Sequence, residues 1–352
     1  MNSELLIYGD TLVYDEMCPF LGPWSVFRSR TVVYNVQTFE KYYLIPQSRG
    51  GPSWGSTSSV EHRTDYFSIY NNNILYGQRT KSSSGAGGGS GGGTTSTTTY
   101  TPKLYNIVLR DTTELSRDVF GDSKLFGNKF IRYDSGHNKI FLHDLSGNIE
   151  CIIDDVFSLG NKRPDYWGGE NVAWISDTSN QQTITQYNLT TQERRELTNS
   201  DSAKQDVVIN DENIMWIENI AGSSGFYSEV KAYNLEDDSL FQITDTGILS
   251  AQKNNFFVWE NILVWEDNRN GNWDIFAYDM KTCQEFQVTS DLSNQLNPAI
   301  HGNMVVWQDY RNGTADIYGA VIPEPSTILM FLSGIFCIFW CPSISNNRYT
   351  QT

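Results

Sequence analysis

Two groups of charged residues near the C-terminal end of the 352-residue chain have types and spacing that could bind a cation. They are Asp267, Arg269, Asn270 and Asp274, and then Asp309, Arg311 and Asp316. Hard cations take oxygen ligands, so Asp267, Asn270 and Asp274 could form a calcium site. The arginine between the carboxylates favours internal ion pairs and turn caps instead. We therefore expect these groups to stabilise hairpins, and we keep calcium as the alternative.

No residue pattern in the chain predicts catalysis. The histidines are scattered, at His62, His137, His143 and His301, and no His-Glu-x-x-His sequence is present. The Gly-x-Ser-x-Gly spacing occurs at 51–55 and 88–92, but no helical period follows either copy, so neither reads as a nucleophile elbow. We name no catalytic residue and no metal ligand set. Acidic residues are too numerous for one glycosidase-like pair to be singled out, so a carbohydrate-active enzyme, a lyase or a glycosidase, stays open as an alternative.

The charged groups belong to a sequence repeat. Residues 264–271 read VWEDNRNG and residues 306–313 read VWQDYRNG, while DIF at 274–276 returns as DIY at 316–318. Each matched residue is displaced by 307 − 265 = 42 positions. A fixed period in this range indicates stacked supersecondary units.

Looser copies of the unit extend through most of the chain. Each has a short apolar stretch that ends in an anchor residue: Tyr14, Tyr76, Arg132, Trp174, Trp216, Trp265 and Trp307. Each unit reads as four short β-branched and aromatic strands, with no long helical period before residue 327. This pattern predicts an all-β fold, a β-propeller of seven four-stranded blades over residues 1–322. Six blades is the alternative, because the third unit has an arginine as its anchor.

The Trp-x-Asp-x-Arg-Asn-Gly sequence followed by Asp-Ile-Tyr resembles the TolB-like, WD40-like propeller repeats of exported bacterial proteins. The resemblance implies the fold. It does not imply an activity, because propellers host many functions.

Composition excludes one class of partner. The net charge is −16 and the isoelectric point is about 4.6, so the protein would repel a phosphate backbone, and nucleic acid is not an expected partner. The cysteines lack metal-ligand spacing and are expected to be free, buried thiols; they are Cys18, Cys151, Cys283, Cys337 and Cys341.

The C-terminal residues 323–348 resemble a PEP-CTERM sorting signal. Pro323, Glu324 and Pro325 precede an apolar run at 327–341 and a terminal Arg348. The resemblance implies recognition by an exosortase, a membrane protease-transferase, and export to the surface or matrix of a Gram-negative-type bacterium. The run is 15 residues long, counted from 327 to 341. Since a spanning helix needs about 20 residues, we expect a helical segment that inserts transiently.

Two features of the ends lead to a further expectation. Sorting of this kind requires export, yet residues 1–4 lead straight into a strand without a signal peptide. The last unit also stops after its third strand, at residues 315–322, without a fourth. We therefore expect this chain to be an N-terminally shortened version of a longer product.

The long intervals between the first anchors place extra residues in loops at one face of the predicted propeller, at 15–30, 46–66 and 78–103. A Gly/Ser/Thr-rich segment at 82–99 is expected to be a disordered, flexible insertion. Insertions confined to one face of a repeat protein often mark its binding face.

Four aromatic residues fall in loops at this face: Trp24, Trp54, Trp273 and Tyr310. They could stack on sugar rings of an extracellular polysaccharide, or pack between neighbouring blades. The sequence favours an exported propeller used for binding or scaffolding, with a polysaccharide or a surface protein as partner. A structural spacer without a specific ligand is a further alternative.

Overall fold

The computed structural model describes residues 5–18, 28–44, 59–84, 95–115, 122–134, 137–153, 164–167, 170–178, 181–223, 225–245, 251–322 and 338–340. Within these ranges the chain is all-β, with seven four-stranded antiparallel sheets that are the blades of a β-propeller. The predicted fold class is confirmed. The chain divides into two compact units, residues 1–156 and 157–352.

Unit 1 contains sheets 1 to 3, and in each sheet the strands pair in chain order. Sheet 1 consists of β1 Leu5–Tyr8, β2 Thr11–Cys18, β3 Arg28–Asn35 and β4 Lys41–Tyr43. Sheet 2 consists of β5 Ser59–Tyr70, β6 Asn73–Ser84, β7 Thr95–Asn106 and β8 Asp111–Glu114. Sheet 3 consists of β9 Asp122–Phe126, β10 Lys129–Asp134, β11 Lys139–Asp144 and β12 Ile149–Ile153.

Unit 2 contains sheets 4 to 7, with the same order of pairing. Sheet 4 consists of β13 Asp165–Trp167, β14 Asn171–Thr178, β15 Gln181–Asn188 and β16 Arg194–Glu196. Sheet 5 consists of β17 Ala203–Ile209, β18 Asn213–Gly222, β19 Gly225–Asn234 and β20 Leu240–Gln242. Sheet 6 consists of β21 Lys253–Trp259, β22 Ile262–Asp267, β23 Asp274–Asp279 and β24 Gln284–Gln287. Sheet 7 consists of β25 Gln295–His301, β26 Met304–Asp309, β27 Asp316–Val321 and β28 Ile338–Trp340.

Every anchor residue of the repeat lies in the second strand of its sheet. The four tryptophans, Trp174, Trp216, Trp265 and Trp307, are fully buried. Arg132, the atypical anchor of sheet 3, is also buried, and its guanidinium lies 4.1 Å from the ring centre of Phe141. A cation above an aromatic face is attracted by the ring quadrupole. The arginine therefore fills an aromatic position, and the third unit forms a four-stranded blade like the others.

The core of unit 2 is built by packing each sheet on the next. Trp265 of sheet 6 packs with Met215 and Val230 of sheet 5, and Trp307 of sheet 7 packs with Val264 and Ile275 of sheet 6. Full burial of a large apolar side chain contributes about 1.5–3 kcal/mol. The repeated tryptophan is thus a principal contact between neighbouring sheets.

The fourth strand of sheet 7 comes from the apolar C-terminal run. Ile338–Trp340 pairs with β27, with Ala320 opposite Ile338. Two expectations are therefore wrong: sheet 7 does not lack a fourth strand, and residues 338–340 extend as a strand rather than coiling as a helix. A strand here pairs with the backbone N–H and C=O groups along the outer edge of β27, which a helix would leave unpaired. Among the described residues no helix has the length and apolar character needed to cross a membrane.

Several predicted features fall partly or wholly outside the described residues. The sorting motif at Pro323, Glu324 and Pro325 lies outside them, as do the rest of the run 327–341 and the loops that contain Trp24 and Trp54. The Gly/Ser/Thr-rich segment is described only at its ends. Ser82 pairs with Thr97, and Ser84 with Thr95, so the segment expected to be flexible begins and ends as a hairpin.

Candidate functional site

In sheets 5, 6 and 7 an acidic residue at one end of the sheet accepts a hydrogen bond from the buried tryptophan of the repeat. Residues i and i+2 of a strand lie on the same face, so an acid two positions after the tryptophan can reach its indole. The bonds are Trp216 Nε1 to Glu218 Oε2 at 3.2 Å, Trp265 Nε1 to Asp267 Oδ2 at 3.3 Å and Trp307 Nε1 to Asp309 Oδ2 at 3.0 Å. Sheet 4 has Ser176 at this position, and there the indole nitrogen of Trp174 is buried without a hydrogen-bond partner among the described residues.

Each of these acids also pairs with a cation on its own sheet. The pairs are Lys231 with Glu218 at 3.1 Å, Arg269 with Asp267 at 2.6 Å and Arg311 with Asp309 at 2.6 Å. Burial alone would raise the pKa of Asp309, but the hydrogen bonds from Arg311 and Trp307 outweigh it and hold the pKa below its ordinary value. The internal pairing expected from the sequence is confirmed.

A buried lysine crosses from one sheet to the next. In sheet 6, Lys253 Nζ donates to Ser228 O at 2.6 Å and lies 3.1 Å from Glu229 Oε2 and 3.6 Å from Asp267 Oδ2. All three charged side chains are at most 1% exposed. Buried charges need such partners, because desolvation of an isolated ion is very costly. The hydrogen bond and ion pairs of Lys253 therefore join sheet 5 to sheet 6.

The loops that follow β22 and β26 share one conformation. Asp267 Oδ1 accepts from Arg269 N at 2.9 Å, and Asp309 Oδ1 accepts from Arg311 N at 3.0 Å. In both loops a glycine with positive φ completes the turn, at Gly271 and Gly313. The asparagine before it then donates Nδ2 to the next carboxylate, Asn270 to Asp274 at 3.0 Å and Asn312 to Asp316 at 2.8 Å. These contacts fix loops 268–273 and 310–315 internally.

The same contacts bear on the calcium alternative. Asp267 is engaged by Arg269 and Lys253, and Asn270 turns its amide nitrogen rather than its oxygen toward Asp274. Within the described ranges there is no group of three or more histidine, cysteine or acidic side chains that could hold a metal. Calcium binding by Asp267, Asn270 and Asp274 stays a prediction.

The two described aromatic candidates are tied to each other through one residue. Trp273 N donates to Asn294 Oδ1, and Tyr310 N donates to Asn294 O, both at 3.1 Å. Tyr310 is exposed and Trp273 is half-buried. Asn294 therefore joins the loops of two successive blades and sets the spacing of their aromatic residues.

Sheets 5 and 6 repeat this arrangement with Gln252 in the place of Asn294. Asn268 N donates to Gln252 O at 3.1 Å, and Gln252 Nε2 donates to Phe226 O at 2.7 Å. Phe226, at the tip of the β18–β19 hairpin, is 67% exposed, and Leu292, between β24 and β25, is 93% exposed. Sequence reasoning missed both residues, because neither belongs to the repeat. Phe226, Trp273, Leu292 and Tyr310 together are called the loop-end surface.

The inner strands of sheets 6 and 7 carry a second polar group beneath the loops. Asn255 and Asn297 have φ of 44° and 52° at bulges of β21 and β25. Glu266 Oε1 accepts from Asn255 Nδ2 at 2.8 Å and from Asn297 N at 2.5 Å. Burial raises the pKa of the Glu266 carboxyl, because these bonds do not compensate the lost hydration. This carboxyl is a structural acceptor that joins two bulges.

The described histidines and cysteines make contacts typical of structural residues. His143 is buried, stacks on Phe130 at 4.9 Å, and its pKa is lowered chiefly by burial. His137 lies 3.0 Å from Asp134 on the surface. Cys151 and Cys283 are free thiols, as predicted, but Cys151 is half-buried and Cys283 is exposed, so the expectation that they are buried is wrong.

Comparison with solved structures finds proteins of similar fold, among them a β-propeller domain. The propeller domain of the trilobed protease from Pyrococcus furiosus matches with a TM-score of 0.62 and 7% identity, over 90% of this chain and 92% of that one. The acylaminoacyl peptidase of Pyrococcus horikoshii matches with a TM-score of 0.61 and 8% identity, over 93% of this chain. The chain spans 53% of that peptidase. TolB from Acinetobacter baumannii matches with a TM-score of 0.44 and 14% identity, over 89% of this chain and 77% of TolB.

At these identities the first two matches show the propeller fold alone. No family model and no curated protein matches the sequence.

Proposed function

We propose that this protein is a non-enzymatic propeller that binds a polysaccharide through the loop-end surface. The observation that carries the proposal is the pairing of Trp273 and Tyr310 on successive blades by the hydrogen bonds of Asn294. Two aromatic residues held at a fixed spacing present flat, apolar surfaces to consecutive units of a polymer. Their fixed loops lower the entropy lost on binding.

The chemistry of the surrounding loops suits a hydroxylated ligand. Asn270 precedes Trp273 and Asn312 follows Tyr310; their amide nitrogens bind Asp274 and Asp316, which leaves their amide oxygens as acceptors for hydroxyl groups. Aromatic rings cover the apolar faces of sugar rings. The net charge of −16 disfavours an acidic polymer, so the ligand is a neutral or basic polysaccharide.

The C-terminal residues support a proposed location. Pro323, Glu324 and Pro325 with the apolar run 327–341 suit sorting by an exosortase to the cell surface or matrix. In a host with an exosortase, and with an export signal fused to the N-terminus of both proteins, the Glu324→Ala variant should stay at full length while the wild type is shortened at its C-terminal end. If mass spectrometry finds both exported proteins at the full length of their own sequences, the sorting proposal is wrong.

Binding is tested by affinity electrophoresis in gels that contain neutral, basic or acidic polysaccharides. Trp273→Ala and Tyr310→Ala should each weaken the retardation that a neutral or basic polymer causes. Phe241→Ala is the matched control, because Phe241 and Tyr310 are both 36% exposed and Phe241 lies on the outer strand β20. Equal retardation of all three variants and the wild type would refute the proposal.

The same polymers are assayed for new reducing or unsaturated ends after incubation with the wild type. Turnover would favour the alternative of a lyase or glycosidase over binding alone.

A further inference from the structure

One amide nitrogen between sheets 6 and 7 lies among four oxygen atoms. Asn272 Nδ2 is 2.9 Å from Asp291 O, 3.0 Å from Ser293 O, 3.4 Å from Asp274 Oδ1 and 3.5 Å from Trp273 O. These four oxygens are called the oxygen cage. An amide nitrogen carries two hydrogens, so it serves two of the four oxygens at good distance and makes long contacts with the other two, of which Trp273 O also accepts from Gln295 N at 2.7 Å.

The equivalent position between the preceding sheets holds an ammonium group. Between sheets 4 and 5, Lys204 Nζ donates to Ser200 O at 3.1 Å and to Ser202 O at 2.9 Å. Ser200 and Ser202 correspond to Asp291 and Ser293, because 291 − 200 and 293 − 202 both equal 91, the offset that also separates Lys204 from Gln295.

Between sheets 5 and 6, Lys253 Nζ contacts the other half of an equivalent cage, Ser228 O and Glu229 Oε2. Glu229 pairs with Glu218 across its hairpin as Asp274 pairs with Asp267. The strand register confirms the equivalence, since Lys204, Lys253 and Gln295 lie opposite Glu218, Asp267 and Asp309. Each of these two junctions thus binds its own ammonium group through counterparts of two cage oxygens, and between them the two junctions have counterparts of all four.

The third junction lacks this positive charge. Gln295 replaces the lysine and is fully buried; its Nε2 donates to the cage oxygen of Ser293 at 2.5 Å, and its Oε1 has no partner in the described structure. Every donor to Asp274 in the described structure is neutral, namely Asn270, Asn272, Gln287 and Thr289. Asp274 is 1% exposed, and burial raises the pKa of its carboxyl.

The side chains at this junction are also shorter. Glutamine ends one atom before the position of a lysine nitrogen, and aspartate has one methylene less than the glutamate of the preceding sheet. Together the two replacements shorten the pair by two atoms, which would leave room for a small ion or water, for which a volume of roughly 10–15 Å³ suffices.

We propose that the oxygen cage binds a sodium ion in place of the lysine ammonium. The ligands are the carbonyl oxygens of Trp273, Asp291 and Ser293, with Asp274 Oδ1 and Gln295 Oε1. The Asn272 amide rotates to present its oxygen, since heavy-atom positions do not distinguish the two ends of an amide. Hard cations take such oxygen ligands. One positive charge matches the single uncompensated carboxylate, because Asp267 is already paired with Lys253 and Arg269.

The test is the melting temperature of the wild type in sodium chloride and in choline chloride at equal ionic strength. Choline is too large for the cage, so it controls for screening by salt. The melting temperature should rise with the logarithm of the sodium concentration once the site saturates, because an ion that binds only the folded state stabilises it by mass action. Equal melting temperatures in the two salts, or a rise with calcium chloride alone, would overturn the proposal.

Two variants connect the effect to the cage. Gln295→Lys supplies an ammonium, as Lys253 does in sheet 6, so the variant should be as stable in choline as the wild type is in sodium, with no response to sodium. Asp274→Asn should also lose the response, and it keeps a side chain of the same size should Gln295→Lys fail to fold. A sodium response that survives in Asp274→Asn would place the ion elsewhere and contradict the assignment.

Discussion

The buried lysine between sheets 5 and 6 makes a strong prediction about stability. Lys253→Met removes the ammonium but keeps an unbranched side chain of similar length. Lys253 Nζ lies 3.1 Å from Glu229 Oε2, and Asp267 keeps Arg269 at 2.6 Å when the lysine is replaced. The variant therefore acts chiefly on the fully buried carboxylate of Glu229, which keeps its hydrogen bond from the hydroxyl of Thr244 but loses this ammonium.

Breaking a buried ion pair by removing one partner costs about 3–5 kcal/mol, because an uncompensated charge remains in a low-dielectric environment. In a domain of about 150–250 residues each kcal/mol lowers the melting temperature by about 2–4 °C, so the expected fall is about 6–20 °C. Adding Glu229→Gln should restore a large part of this loss, because the double variant removes the buried carboxylate together with the ammonium.

The assays are urea unfolding and thermal melting, both followed by tryptophan fluorescence, with Lys231→Met as the matched control. Lys231 pairs with Glu218 at 3.1 Å but is 27% exposed, so its loss should cost well under the loss at Lys253. If Lys253→Met and Lys231→Met are equally stable, or if Glu229→Gln gives no rescue, the buried ion pair of Lys253 and Glu229 does not stabilise the fold as described.

Two further predictions use the pattern of acids and indoles. Trp307→Phe should destabilise the protein by about 1.5–3 kcal/mol more than Trp174→Phe, because Trp307 Nε1 donates to a carboxylate and Trp174 Nε1 does not. The folded-state pKa of Asp309 lies below its ordinary value of 3.8. The difference in stability between the two variants should therefore be complete above pH 3.8 and disappear as the pH falls through the folded-state pKa of Asp309. Urea unfolding at several pH values measures it. Glu266→Gln should stabilise the protein at neutral pH, because the pKa of Glu266 is raised in the folded state and its ionisation therefore opposes folding. Thermal melts should show that the variant loses this advantage below pH 4.5, the ordinary pKa, where the carboxyl is protonated in both states. An advantage that persists below pH 4.5 would contradict this reasoning.

Much of the fold could be predicted because the last two units of the repeat match residue for residue at a spacing of 42. Tryptophan and acid positions recur with the strand period of two residues, so both the sheets and the ion pairs of Asp267 and Asp309 follow from local sequence. The fourth strand of sheet 7 could not be predicted in this way. It pairs with β27 through residues 338–340, whose apolar sequence is consistent with either a buried strand or a helix.

The candidate surface could be predicted only in part. Trp273 and Tyr310 are found by their place in the repeat, whereas Phe226 and Leu292 lie in loops that differ between blades. The oxygen cage is built mainly from backbone carbonyls, and any residue type supplies such an oxygen. Its one sequence signal is Gln295 at a position where the two preceding sheets have lysine.

The central claim is that the loop-end surface binds a neutral or basic polysaccharide through paired aromatic residues. The most direct measurement is a binding isotherm, by titration calorimetry, of the wild type, Trp273→Ala, Tyr310→Ala and the double variant against the polymer that retards the protein. The account predicts weaker binding by each single variant and a double variant that loses less than the sum of the two, because both residues engage one polymer chain across loops joined by Asn294. Wild-type affinity in the double variant would contradict it.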